Sequence, residues 1–337
     1  MRITKDRLIS LAKNFVLEET YRDKQISCIF LTGSSLQDQF LLNNTTDIDL
    51  VIIHRRAEKL ERRTIRISQQ VHYDCWTYPI TLFQDSKSLR LDPWIGSSFC
   101  GENLVLFDEG HWFDFQQAAI FSKFFEPETR FQRCKPLLDK ARKDWLSLDQ
   151  MEGNFKFHHA QRYIETLENL GNLIAGLVSF PLPIRRFALQ LPEKAASLGK
   201  PGLAAGLFDL YCPSDWHSFH WSVWQEHWET LFEQVSSLPD SPAAFQPFRK
   251  AYYQQPMELF VDEAPEAALW IALKTMIEGL NTLSLQNIQP KIPLETFLEP
   301  LCLDQAHFQD RLDEMDAYLD AVEITVEQWA GEQGILS

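Results

Sequence analysis

The feature that most constrains this chain is a small-residue turn, Gly33-Ser34, closing an apolar run and followed, after twelve intervening residues, by Asp47-Ile48-Asp49-Leu50. Residues 26–32 read as a buried strand and 35–42 as a short helix, whose first amides would face any anion held in the turn. Residues 47–53 read as a second strand. Side chains alternate along a strand, so Asp47 and Asp49 share one face while Ile48 and Leu50 enter the core. Two carboxylates on one face repel each other, and a bridging divalent cation relieves that repulsion; oxygen ligands of this kind suit Mg²⁺.

A third apolar run, 71–78, carries one acid, Asp74. Three carboxylates on neighbouring strands are the donor set of a two-ion site. The order Gly33-Ser34, then Asp47-x-Asp49, then a lone acid on the next strand resembles the nucleotidyltransferase superfamily, whose fold is shared with DNA polymerase beta. The resemblance covers about residues 22–110. It implies an α+β chain: an N-terminal mixed sheet with flanking helices, then a C-terminal helical bundle. It further implies a metal-dependent enzyme in which Asp47, Asp49 and Asp74 are catalytic and hold two Mg²⁺ ions, Asp74 also helping to deprotonate the acceptor. Gly33 and Ser34 would cradle the β- and γ-phosphates of a nucleoside triphosphate, ATP being the expected co-substrate. AMP would then pass to a hydroxyl of a small-molecule acceptor. A silent nucleotide-binding relative and an enzyme that adenylylates a partner protein are the two other readings.

Size and charge narrow the partners. A chain of 337 residues exceeds what one core usually sustains, which favours two domains. Its formal charge of −15, from 32 basic and 47 acidic residues, counts against a large nucleic-acid partner. One cluster departs from that balance: Arg55, Arg56, Lys59, Arg62, Arg63 and Arg66 read as a solvated face, or as a field that draws a triphosphate toward an acidic site. The six cysteines lack zinc-type pairing, the N-terminal residues carry no apolar leader, and no long apolar run occurs; a cytoplasmic protein without membrane insertion is expected.

The segment 102–110 reads as a short strand ending in a turn, and the boundary is placed after residue 114. Residues 115–337 are expected to form the helical bundle that supplies the other wall of a cleft, with helices over 115–125, 128–150, 154–179, 214–236, 243–254, 263–287 and 304–332 separated by proline and glycine. Within it, Arg185 and Arg186 follow Pro181 and Pro183 in a connection that resembles a loop of small-molecule nucleotidyltransferases in which a basic residue faces the triphosphate. The aromatic run 216–228 sets His217, His220 and His227 at helical spacings open to a metal, although such a helix more commonly packs a core edge. His158-His159 reads as a helix start.

Overall fold

The computed structural model describes residues 3–151, 155–216 and 219–335. By contacts the chain divides into two units, Met1–Thr129 with Phe248–Pro256, and Arg130–Pro247 with Met257–Ser337. The class is α+β, with the sheet in the first unit and helices throughout the second.

The first unit opens with α1 (Lys5–Arg22), started by Thr4, whose hydroxyl accepts from the Arg7 amide at 3.3 Å. Leu8, Ala12 and Val16 recur at four-residue spacing, and this stripe is buried. The strands β1 (Ile26–Thr32), β2 (Thr46–His54), β3 (Glu61–Arg66), β4 (Val71–Pro79) and β5 (Leu104–Asp108) form one sheet in the order β3-β4-β2-β1-β5. It is mixed: β2 and β4 run parallel, and the other three pairs are antiparallel. Leu8, Ala12 and Val16 share a core with Ile48, Leu50 and Ile52 of β2 and with Val71, Tyr73 and Cys75 of β4. Strand alternation therefore sends Asp47, Asp49, His72 and Asp74 to the opposite face.

The turn after β1 differs from expectation. A single 3-10 turn, Ser34–Leu36, stands in place of the expected helix over 35–42: the backbone is already extended at Gln37, φ −80° and ψ 163°, and the chain runs on to the paired bridge of Leu42 with Thr45. The segment after β4 holds α2 (Ser86–Leu91) and α3 (Pro93–Cys100). Asp85 and Asp92 cap them, Asp92 accepting from the Trp94 and Ile95 amides at 2.9 and 2.7 Å. Asp108 at the end of β5 caps α4 (Trp112–Phe124) through the amides of Trp112 and Phe113. This helix, read from sequence as part of the helical domain, is counted with the sheet, where Phe113 stacks on Phe99 at 5.3 Å and meets Phe30 edge-on at 4.8 Å.

The second unit contains most of α5 (Pro127–Asp149), then α6 (Phe157–Val178), α7 (Phe187–Ser197), α8 (Gly202–Asp209) and α9 (Trp221–Ser236). After α10 (Lys250–Phe260), whose first residues are counted with the sheet, come α11 (Pro265–Leu285), α12 (Leu294–Leu298) and α13 (Phe308–Glu332). The core of this unit is built on α6 and α11, which are buried over most of their length. Phe187 stacks on Trp270 with ring centres 4.2 Å apart, and a β-carbon on Gly171 would lie 2.2 Å from the Phe187 ring. None of the described helices is long and apolar enough to cross a membrane.

Candidate active site

The site is built on the face of the sheet opposite α1. The parallel register of β2 with β4 sets Asp49 beside Asp74 and Asp47 beside His72, so four polar side chains stand in two adjacent pairs. One ligand atom each from Asp47, His72 and Asp74 falls within 4.8 Å of the others, the only such potential metal-binding group of three or more among the described residues. Asp47, His72 and Asp74 are buried, and Asp49 keeps some exposure. Gly33 adopts φ +79°, and a β-carbon there would lie 2.1 Å from Oδ2 of Asp49, so glycine is what allows the turn to lie against that carboxylate.

Two arginines balance the acids. Arg62 on β3 donates to both oxygens of Asp74, Nε to Oδ1 at 2.9 Å and an Nη to Oδ2 at 2.6 Å, and its guanidinium lies 4.8 Å from the Trp76 ring centre. Arg249, 2% exposed, donates from Nη1 to the same Oδ2 at 3.0 Å and faces Nε2 of His72 at 3.0 Å. The rings of Tyr252 and Tyr253 flank that guanidinium at 4.7 and 5.4 Å, and the Tyr253 hydroxyl accepts from Nη2 at 3.1 Å. The Tyr252 hydroxyl donates to Oδ2 of Asp47.

These partners pull the neighbouring acids in opposite directions. Burial raises the Asp74 carboxyl, but the hydrogen bonds and charge of Arg62, and then those of Arg249, outweigh it and hold the group at about 2. Asp74 is therefore a weak proton acceptor. Asp49 moves well above the ordinary carboxylate range, first through burial and then through the charges of Asp47 and Asp74, with Arg62 and Arg249 offsetting only part of the rise. A desolvated carboxyl crowded by two others is the kind of group a cation stabilises, and the oxygen-rich set fits a hard divalent ion such as Mg²⁺ or Mn²⁺.

Of the residues read from sequence, Gly33, Asp47, Asp49 and Asp74 meet in the first unit, with Ser34 beginning the 3-10 turn beside them. Arg185 and Arg186 belong to the second unit, both 8% exposed in the 3-10 turn Ile184–Arg186. His217 lies outside the described residues; His220 precedes α9 and His227 lies within it, while Trp224 and Trp228 are core, Trp228 donating to Thr275 Oγ1 at 2.7 Å. His159 starts α6 as expected, its Nδ1 accepting from the Lys156 amide at 2.9 Å.

Sequence reading missed His72, Arg62, Arg249 and Tyr252. His72 was legible, being two residues before Asp74 on one strand and so on the same face. Arg62 lay in the basic run, whose second half is β3: alternation turns Arg62 to the site and Arg63 to Glu19 of α1. Arg249 and Tyr252 had no local signal.

The fold and the acid-rich sheet face define a class, an α+β protein carrying a candidate cation site on one face of a mixed sheet. The chain is similar to a nucleotidyltransferase-like protein from Exiguobacterium sibiricum 255-15, at 10% identity over 93% of this chain and 90% of that one, with a TM-score of 0.33. No family model matches the sequence, and no curated protein matches it.

Proposed function

We propose that this protein is a metal-dependent nucleotidyltransferase that moves AMP from ATP to a hydroxyl of a small-molecule acceptor. The observation that carries this reading is the pairing of Asp49 with Asp74 across parallel strands, beside a glycine turn that a single β-carbon would block. In the reaction the acceptor oxygen bonds to the α-phosphorus as the bond to the bridging oxygen breaks. Pyrophosphate leaves with the electron pair, and the hydroxyl proton passes to a carboxylate or to water. A divalent cation held by Asp47 and Asp49 would neutralise triphosphate oxygens. The chain's own residues do the rest: Gly33 and Ser34 bring backbone close to the phosphates, Arg62 and Arg249 fix Asp74, and Tyr252 orients Asp47. Full-length protein, α-labelled ATP, Mg²⁺ and a panel of hydroxylated small molecules test the proposal. Label should appear on an acceptor with release of pyrophosphate, and no transfer to any acceptor would overturn it.

A second reading, a nucleotide-binding protein without transfer activity, is favoured by one observation, the engagement of both Asp74 oxygens by arginine. It requires ATP to bind in the same assay while no label moves.

A further inference from the structure

We infer that the guanidinium groups of Arg62 and Arg249 hold the place of a second cation, so that this site takes one divalent ion, on Asp47 and Asp49, and Asp74 is not a metal ligand. The inference rests on the proposed nucleotidyltransferase reading and departs from the two ions that the family resemblance implies.

Three of the roughly four acceptor positions of the Asp74 carboxylate are taken by arginine. Arg62 covers both oxygens at 2.9 and 2.6 Å, and Arg249 adds a third contact at 3.0 Å on Oδ2. The same Nη1 of Arg249 stands 3.0 Å from Nε2 of His72, so the remaining member of the metal-distance group also faces a cation. An ion placed there would meet two fixed positive charges at contact distance. Arg249 is not a mobile arm: it is 2% exposed and held by Asp74, the Tyr253 hydroxyl and two tyrosine rings.

The other half of the site is different. Among the described residues no side chain or amide donates to the Asp49 carboxyl, and Asp47 has Tyr252 on one oxygen with the second oxygen left. Three carboxylates set against two guanidiniums leave one negative charge over, on the Asp47 and Asp49 side. One divalent ion there reverses that excess into a modest positive field suited to a triphosphate, whereas two ions beside two arginines would overcharge the acids. Arg249 and Arg62 would then supply, around Asp74, the positive charge that a second ion gives elsewhere.

Full-length protein with α,β-methylene-ATP and Mn²⁺, followed by electron paramagnetic resonance and an ion count, tests this without turnover. One bound ion per chain with the spectrum of an isolated Mn²⁺ is expected. Asp74→Asn should leave Mn²⁺ affinity within about threefold, and Asp49→Asn should weaken it by at least about tenfold. Two ions per chain with an exchange-coupled spectrum would overturn the inference, as would loss of Mn²⁺ in Asp74→Asn with Asp49→Asn unaffected. Should Asp74→Asn not fold, the ion count on the unaltered protein decides alone. One bound ion without nucleotidyl transfer to any acceptor would overturn the proposed activity and leave the ion count standing; no bound ion would overturn both.

Discussion

A β-carbon added to Gly33 would stand 2.1 Å from Oδ2 of Asp49, a separation no real pair of such atoms tolerates. The turn also holds φ at +79°, where an L side chain is strained. Gly33→Ala is therefore expected to cost about 1–3 kcal/mol, from strain and from displacement of the carboxylate, and to weaken Mn²⁺ binding in parallel. Urea unfolding and metal titration read the two effects. Wild-type stability in the variant would contradict the close approach.

Asp49→Asn should act on function and stability in opposite directions. The folded Asp49 carboxyl is raised, so the unaltered protein has its full share of stability below the ordinary carboxylate pKa and loses it as pH rises through the folded value. The asparagine variant has no such loss. In metal-free buffer it should melt at the same temperature or higher near neutral pH, with the advantage fading as the pH is lowered below about 4. Nucleotidyl transfer should fall by at least about a hundredfold. A variant that unfolds would make the acid structural.

Asp74→Asn reverses the sign. The folded carboxyl is held at about 2, so its contribution is present above the ordinary carboxylate value and disappears as pH falls toward the folded one. Removing the charge also strands the buried Arg249 guanidinium, at a cost of about 3 kcal/mol. Chemical denaturation at neutral pH and near pH 2.5 distinguishes the outcomes: a large loss at the first that shrinks at the second is expected, and an unchanged neutral-pH midpoint would refute the ion pair as drawn.

ATP should bind weakly in EDTA and clearly more tightly with Mg²⁺ or Mn²⁺, since uncompensated carboxylates repel a triphosphate. Calorimetric titration in the two buffers measures the difference, and equal affinities would remove the cation from the site. Ser34→Ala should weaken the cation-dependent binding by roughly 1 kcal/mol through one lost hydrogen bond.

The sequence by itself determined what local periodicity controls. The apolar strands 26–32, 47–53 and 71–78 emerge as β1, β2 and β4 with ends shifted by a residue at most, because alternation along an extended chain fixes which side chains share a face; Asp47 with Asp49, and His72 with Asp74, follow from it. The long helices of the second unit were legible for the same reason, through their 3.6-residue period. Tertiary structure alone decided the rest. The parallel register that sets Asp49 against Asp74 depends on strand pairing, and no single strand encodes its neighbour. Arg249 reaches Asp74 across 175 residues of sequence and Tyr252 reaches Asp47 across 205, distances at which neither spacing nor composition carries a signal. A buried carboxylate must find a cation or a donor wherever the fold supplies one, and here the fold supplies it from a distant segment.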